Sequence, residues 1–201
     1  MKQLEKVRNM ANLLQLKIVL DRIEPAIWRR VLVRDSMNFL RLHTVIQDAF
    51  GWWDCHLHEF RIGKVAIGFP DEDDEPDRPV LYGKKIDVDR YIKRERQKLK
   101  YVYDFGDNWN HTITVEKITK DTGWINRPVC IDGARACPPE DCGGASGYEE
   151  FLEIIKNKKH PEHRSMLNWA GGKFDPEYFD MKKANRSIRS LKHYREILTE
   201  C

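Results

Sequence analysis

Residues 99–118, LKYVYDFGDNWNHTITVEKI, predict the element around which the rest of the chain is organised. In the first half of this stretch, Leu99, Tyr101 and Tyr103 occupy alternate positions, which is typical of a strand with one apolar face. A second alternating run begins at His111 and follows a segment rich in Gly, Asp and Asn. Because these three residue types tolerate the positive φ of a tight turn, the stretch predicts a β-hairpin.

Two registers of this hairpin fit the pattern, and a shift by one residue turns every side chain to the opposite face. Pairing Tyr103 with Ile113 gathers the apolar side chains on one face, and so does the next pair, Tyr101 with Val115. The alternative register, one residue out of step, mixes tyrosines with threonines on each face. We therefore predict the first register, with residues 106–110 as the turn.

The chosen register has consequences for both function and core. Asp104 and His111 point to opposite faces, which argues against a catalytic pair formed by these two residues. Thr112 and Thr114 face away from the core, whereas the two tyrosines and their predicted partners face the helices.

The composition is that of an ordinary soluble chain. Its 201 residues are 41% hydrophobic and 33% charged, which suffices for one core with helical additions. No apolar run approaches the roughly 20 residues that span a bilayer, and the N-terminus lacks the apolar stretch of a signal peptide. Five cysteines are an odd number, and in the cytoplasmic location that we expect they are free thiols. The net charge of +3 does not by itself indicate nucleic-acid binding.

Patterns in the remaining sequence predict an α+β fold, with a mixed or antiparallel sheet built from hairpins, packed helices and a helical C-terminal part. Strands come early and helices late, which argues against a doubly wound parallel sheet. The first predicted helix is capped by Ser36 or Asn38 and ended by Gly51. The other strand patterns are residues 14–20, 27–33 and 56–62, and the helix patterns are residues 39–50, 87–97, 148–156, 161–171 and 181–198.

Several strings of the sequence resemble one protein family. They are IEPAIWRRVLV (23–33), LHTVIQDAFGW (42–52), HLHEFRI (56–62), YVYDFGDNWNHTI (101–113), ACPPEDCGGASGY (136–148) and FDPEYFD (174–180). Together they look like the Ri-plasmid ORF-3-like family, which is often labelled an insertion-element passenger protein of the TnpR type. The resemblance implies a compact α+β domain found on plasmids, mobile elements and chromosomes. It implies no particular reaction, and the chain lacks the positioned nucleophile and Arg cluster that a resolvase needs.

Histidines and cysteines provide candidate metal ligands, with zinc as the cofactor considered. His56 and His58 are two apart on a predicted strand, so both imidazoles face the same way. Two half-buried histidines at the edge of the core are the alternative interpretation. Three cysteines could supply thiolates to a tetrahedral zinc site, or could simply pack within a rigid loop, since their spacing differs from common zinc motifs. They are Cys130, Cys137 and Cys142, with His111 as the fourth ligand.

The loop CIDGARACPPEDCGG (130–144) is rich in Gly and Pro, which indicates a defined loop rather than a flexible linker. We predict a groove between this loop and the hairpin turn, because ordered loops on a scaffold often carry binding sites. A structural plug over the sheet end is the alternative. Arg135 is expected to pair with a carboxylate of the loop or with Asp104. The groove residues are Asp104, Asp107, Asn108, Trp109, His111, Arg135, Glu140 and Asp141.

The protein divides into an arm or short helix at residues 1–12, the α+β domain at residues 13–180 and a basic amphipathic helix at residues 181–201. One face of that helix could contact nucleic-acid phosphates, and an ordinary solvated face is the alternative. The basic residues of this face are Lys182, Arg186, Arg189 and His193.

These observations favour a non-enzymatic binding or accessory module associated with plasmids and mobile elements. One alternative is a metal-dependent hydrolase-like enzyme that uses the end of the sheet rich in His, Asp and Cys. A second alternative is weak nucleic-acid binding through the C-terminal helix, and no membrane partner is expected.

Overall fold

Residues 11–70, 79–123 and 125–190 are described by a computed structural model, and they contain one mixed β-sheet with packed helices. The strands are β1 (Asn12–Leu20), β2 (Trp28–Arg34), β3 (His58–Ile62), β4 (Val65–Gly68), β5 (Val80–Tyr82), β6 (Lys98–Tyr103), β7 (Trp109–Lys120) and β8 (Val129–Ala134). The helices are α1 (Phe39–Phe50), α2 (Gly144–Lys156), α3 (His163–Trp169) and α4 (Met181–Ser190). The order across the sheet is β5-β4-β3-β6-β7-β1-β2-β8, with β4 and β5 parallel and the other described pairs antiparallel. The predicted α+β class is confirmed, and most of the predicted N-terminal arm lies outside the described residues.

The hairpin of β6 and β7 is present, but its register differs from the predicted one. Tyr103 pairs with Trp109, and Tyr101 pairs with His111, so the predicted pairing was wrong by four residues. An even shift keeps each side chain on its predicted face, because side chains alternate along a strand. Tyr101, Tyr103, Ile113 and Val115 are accordingly buried, and Thr112 and Thr114 are partly exposed.

The turn lies two residues earlier than predicted, at residues 104–108, and the hydrogen bonds of Asp104 account for its position. Its Oδ1 accepts from the N–H of Gly106 at 2.9 Å, and its backbone carbonyl oxygen accepts from the N–H of Asn108 at 2.6 Å. Asp104 and Asn108 have positive φ values of 54° and 56°, a conformation that Asp and Asn tolerate better than most residues. The first strand therefore ends at Tyr103 and the second begins at Trp109. Asp104 lies outside both strands, in the turn at the end of the sheet.

Helix α1 begins and ends where the sequence predicts. Asn38 Oδ1 accepts a hydrogen bond from the N–H of Arg41 at 2.8 Å, and Gly51 ends the helix with a left-handed φ of 97°. Eleven of its 12 residues are buried. The helix packs on the sheet, where the rings of Phe39 and Phe60 meet with 5.1 Å between their centroids.

Arg29 on β2 fixes the end of the sheet to α1. Its buried guanidinium donates to the backbone carbonyl oxygens of Ala49, Ala134 and Arg135 at 2.8–2.9 Å. The ring of Phe179 lies 4.0 Å from the guanidinium carbon, so the cation also has an aromatic contact. Because a buried charge without partners is costly, these contacts hold the start of the following loop against the C-terminal end of α1.

Helix α4 covers the edge strand β8. Asn185 replaces a neighbouring strand, because its Oδ1 accepts from the N–H of Cys130 at 2.9 Å and its Nδ2 donates to the C=O of Cys130 at 2.7 Å. The buried side chains of α4 are Ala184 and Ile188. The part of the predicted helix beyond Ser190 lies outside the described residues.

Two predicted elements differ from those observed. The strand predicted from His56 begins only at His58, because Asp54 has a positive φ of 58° and the backbone is still turning when it reaches His56. Residues 87–97 contain a short 3-10 helix, Val88–Arg90, in place of a longer helix. Within the described residues, no helix is long and apolar enough to cross a membrane.

Candidate functional site

The loop between β8 and α2 docks directly onto the turn between β6 and β7. Oδ2 of Asp107 accepts a hydrogen bond from the N–H of Gly143 at 3.1 Å. A Cβ on Gly144 would lie 2.5 Å from the Asp107 carbonyl oxygen, and the φ of Gly144 is 69°, so this position requires glycine. The two loops that were expected to flank a groove are therefore in contact.

His56 lies beside these loops and faces three carboxylates. Its Nε2 lies 3.1 Å from Oδ1 of Asp141, 3.6 Å from Oδ2 of Asp104 and 4.0 Å from Oε2 of Glu140. This nitrogen is buried and, within the described residues, has no partner in hydrogen-bond geometry. We call His56, Asp104, Glu140 and Asp141 the His56 cluster.

Hydrogen bonds orient two of the carboxylates, and in Glu140 the hydroxyl of Tyr103 also lies 3.4 Å from Oε2. The N–H of Gly106 donates to Oδ1 of Asp104 at 2.9 Å. Oε1 of Glu140 accepts from the N–H of Trp53 at 2.7 Å and from the hydroxyl of Tyr103 at 3.1 Å. The second oxygens of both carboxylates face the imidazole. Hydrogen bonds that orient ligand side chains in this way are typical of metal centres.

The His56 cluster carries an excess of negative charge. The side chains of Glu140 and Asp104 are only 6% and 11% exposed, whereas that of Asp141 is 69% exposed. Burial raises the pKa of Glu140. Asp104 and Asp141 both have positive φ, 54° and 56°, so the backbone is strained where it presents these two carboxylates. The arrangement attracts a cation, because one imidazole balances at most one of the three negative charges.

Cys55 adds a sulfur atom at the edge of the cluster, and it was not among the ligands predicted from the sequence. Its Sγ and the donor atoms of His56 and Glu140 all lie within 4.8 Å of one another. The N–H of Cys55 donates to the hydroxyl of Tyr103 at 3.1 Å, and the thiol is 3.8 Å from the same oxygen. Burial raises the pKa of the Cys55 thiol. Its position next to His56 in the sequence was the signal that could have identified it.

The spacing of these donor atoms fits a divalent transition metal. The donor atoms of His56, Asp104 and Asp141 also lie within 4.8 Å of one another. At metal–ligand distances of about 2.0–2.2 Å, neighbouring ligand atoms are separated by about 2.8–3.6 Å in octahedral or tetrahedral sites. The observed 3.1 and 3.6 Å from His56 to the two aspartates match that range, whereas the 4.0 Å to Glu140 is longer. One imidazole with several carboxylate oxygens suits Zn²⁺, Mn²⁺ or Fe²⁺.

His58 lies apart from the cluster, in the core. Its ring stacks on that of His43, with 3.4 Å between centroids and 6° between planes. His43 in turn lies 2.8 Å from the hydroxyl of Tyr101 and 2.5 Å from Oδ1 of Asp54. Burial, and then the neighbouring His43, lower the pKa of His58. The structure thus places His58 where the alternative interpretation put it, among core side chains.

The three cysteines proposed as zinc ligands belong to none of the metal-ligating groups found in the described residues. The thiol of Cys130 donates to the C=O of Asp132 at 3.4 Å. Burial raises the pKa of Cys137, and it raises the pKa of Cys142 to about 12. All three are unbridged, as predicted, and His111 is buried in the core instead of beside them.

Arg135 corrects a further expectation, because it pairs with Glu177 and not with Asp104 or the loop carboxylates. Its Nη2 lies 2.9 Å from Oε1 of Glu177. The cause is the next residue, Ala136, whose N–H donates to the C=O of Pro176 at 3.0 Å and brings Glu177 alongside. Of the other predicted groove residues, Trp109 and His111 are buried and Asn108 is exposed.

A pocket of about 470 Å³ adjoins the cluster, and Glu140 and Asp141 contribute to its wall. The end of α1, residues 136–141, the end of α3 and the first turns of α4 bound this pocket. Its aromatic lining includes Trp53, Trp169, Phe174 and Tyr178. The pocket could not be predicted from the sequence, because its walls come from segments that are far apart along the polypeptide.

The basic face predicted on the last helix is present. Lys182, Arg186 and Arg189 are exposed on α4, away from its buried residues. His193 lies outside the described residues. Binding of nucleic acid by this face stays a prediction.

The mixed sheet, its packed helices and the carboxylate-rich loop end define an α+β domain with a cation-attracting site. The chain belongs to the plasmid pRiA4b ORF-3-like family, whose profile matches residues 12–183. It is 35% identical over 182 residues to the uncharacterized protein y4hQ of Sinorhizobium fredii, covering 90% of this chain and 93% of that protein. The crystal structure of MM3350, a protein of unknown function from Methanosarcina mazei Go1, matches with a TM-score of 0.77 and 39% identity, covering 86% of this chain and 97% of that protein. The family and the fold predicted from the sequence are thereby confirmed.

Proposed function

We propose that the protein is a binding module that holds one divalent transition-metal cation in the His56 cluster. The observation that carries the proposal is the convergence of three carboxylate oxygens on the buried Nε2 of His56. A protonated imidazole offsets one negative charge, whereas a dication offsets two and also accepts the nitrogen lone pair. The exposed side chain of Asp141 leaves one side of the cluster open, so a bound metal keeps a position for water or a further ligand.

Binding is proposed in preference to hydrolysis. A metal-dependent hydrolase needs an acid or base placed to move protons beside the metal-bound water. The hydroxyl of Tyr103 is held next to the cluster, but burial raises its pKa, so it is a poor acid or base near neutral pH. In the proposed site the carboxylate of Glu140 is a ligand of the metal, so it is not free to act as the base. Four unbridged cysteines in the described residues support a reducing compartment, the cytoplasm, as the place where the module acts.

The proposal is tested by titrating chelator-stripped protein with Zn²⁺, Co²⁺ and Mn²⁺ in a calorimeter. We expect one equivalent to bind. At a free metal concentration of about 100 times Kd, the free energy of unfolding should rise by about 2.7 kcal/mol. His56→Ala should abolish binding. Asp141→Asn changes an exposed side chain that packing does not need, and it should weaken binding by about tenfold or more.

Two control variants separate this site from other ligands in the protein. His160→Ala removes a histidine from the turn after α2, and Cys137→Ser removes a cysteine that the sequence suggested as a zinc ligand. Both should bind metal like the parent protein. If His56→Ala and Asp141→Asn also bound like the parent, the cluster would not be the metal site.

A further inference from the structure

The pocket beside the His56 cluster has an unusual aromatic surface. Trp53, Trp169 and Tyr178 are 74%, 49% and 58% exposed, and all three line the pocket. Large aromatic side chains that remain this accessible are more often part of a binding surface than of a core. The side chain of Trp53 in particular stays accessible, although the backbone N–H of Trp53 donates a hydrogen bond to Oε1 of Glu140. The wall of the pocket thus offers aromatic ring surface that the core does not cover.

The charges that line the pocket favour a cation. Among the described residues, four carboxylates belong to the lining, namely Asp48, Glu140, Asp141 and Asp180. Against them stand Arg29 and Lys183. Arg29 is buried, and its guanidinium is already bonded to backbone carbonyl oxygens, so it contributes little as a partner for a ligand. Lys183 is exposed on α4. Among the described lining residues, the four carboxylates outnumber the two cationic side chains, which favours a positively charged ligand.

The size of the pocket decides which kind of cation fits. A volume of about 470 Å³ lies within the range of about 300–1,000 Å³ that is typical of small-molecule sites. Aromatic ring faces combined with carboxylates bind quaternary and alkylated ammonium groups, because the ring face attracts positive charge and its apolar surface matches the alkyl groups. A metal ion, in contrast, gains nothing from the aromatic rings.

We infer that this pocket binds a small organic cation of the alkylammonium class. The site adjoins the metal site of the proposed function and shares Glu140 and Asp141 with it, but it does not require a metal. Trp53, Trp169 and Tyr178 supply the aromatic contacts. The loop carboxylates Glu140 and Asp141 supply the negative charge.

The test compares choline with 3,3-dimethylbutan-1-ol, an uncharged molecule of the same shape. Binding of each to the full-length protein is measured by calorimetry and by tryptophan fluorescence, in the presence of a chelator. Choline should bind at least fivefold more tightly than the alcohol. Trp53→Ala, at an exposed position, should weaken choline binding at least threefold without unfolding the protein. Because both ligands are measured in the presence of a chelator, failure of the metal proposal would not affect this result.

Reversing the charge of one pocket residue tests whether the ligand is a cation or an anion. Lys183→Glu should tighten choline binding several-fold, whereas Lys182→Glu, the matched change on the neighbouring exposed residue outside the pocket, should leave it within twofold. The inference is overturned if choline and the alcohol bind equally. It is also overturned if an anion such as AMP binds in preference and loses affinity in Lys183→Glu, or if only a lysine-rich peptide binds.

Discussion

Acidification should destabilise this protein through its buried histidines, and the contribution of His111 can be worked out and isolated by mutation. Its Nδ1 donates to the C=O of Trp109 at 3.1 Å, because a carbonyl oxygen can only accept. Its Nε2 is buried and has no hydrogen-bond partner among the described residues. The rings of Phe50 and Trp52 lie with their centroids 5.0 and 5.3 Å from that of His111. Burial in this apolar environment lowers the pKa of His111 to about 4.

The magnitude follows from the difference in pKa between the folded and unfolded states. An unfolded histidine titrates near about pH 6.5. Because the folded pKa is the lower one, the unfolded state binds more protons, and stability present above about pH 6.5 is lost as the pH falls towards about 4. The difference of about 2.5 pH units corresponds to about 3 kcal/mol in all. About 2 kcal/mol of this should be lost between pH 7 and pH 5, a large part of a typical folding free energy of about 5–15 kcal/mol.

Urea unfolding at pH 7 and at pH 5, followed by circular dichroism, measures this loss. His111→Phe cannot titrate and places an aromatic ring among aromatic rings, so between the two pH values it should lose about 2 kcal/mol less than the parent protein. His111→Gln is a second variant without a titrating ring, in case Phe does not fit. His160→Phe, at a partly exposed turn, should behave like the parent. Equal losses in the parent and in both His111 variants would refute the reasoning.

Three further predictions concern packing, nucleic acid and thiols. Gly147→Ala should cost more than about 3 kcal/mol in urea unfolding, because its Cβ would lie 1.9 Å from the Cys142 carbonyl oxygen. Ala145→Gly, in the same helix, should cost only about 1 kcal/mol. Replacing Arg186 and Arg189 by Gln should lower the affinity for all DNA sequences alike. In a salt titration, the slope of log affinity against log salt concentration should become shallower by about 0.9 for each phosphate that is no longer neutralised. Sequence-selective binding that survives high salt would contradict this prediction. Thiol titration of anaerobically prepared, denatured protein should find all five cysteines free, and a protected pair would contradict a reduced loop.

The faces of the central hairpin could be predicted from its sequence, but the register could not. Alternation shows only which residues share a face, and for that reason Tyr101 and Ile113 were correctly assigned to the core. The offset depends on where the turn closes. Asp104 closes it early by combining a side-chain hydrogen bond with a positive φ. An Asp two residues before a Gly is a known turn signal, but the predicted register was chosen only by matching apolar residues across the two strands.

The members of the His56 cluster were all identified from the sequence, but as parts of two different sites. His56 was expected beside His58 on a strand, and the three carboxylates were expected in a groove. Local spacing cannot show that these groups meet, because their proximity depends on the docking of two loops through Asp107 and Gly143. The turn at Asp54 is equally decisive, since it separates His56 from the strand and from His58.

Glu140 links the two proposed sites through its two oxygens. Oε2 faces His56 at 4.0 Å, while Oε1 accepts a hydrogen bond of 2.7 Å from the N–H of Trp53, whose side chain is part of the pocket lining. A ligand that displaces Glu140 in one site therefore acts on the other. By linkage, each ligand must change the affinity for the other by the same factor. Both proposed ligands are cations, and they share the charge of Glu140 and Asp141, so occupation of one site weakens the other. The protein with a filled metal cluster is thus the weaker binder of organic cations.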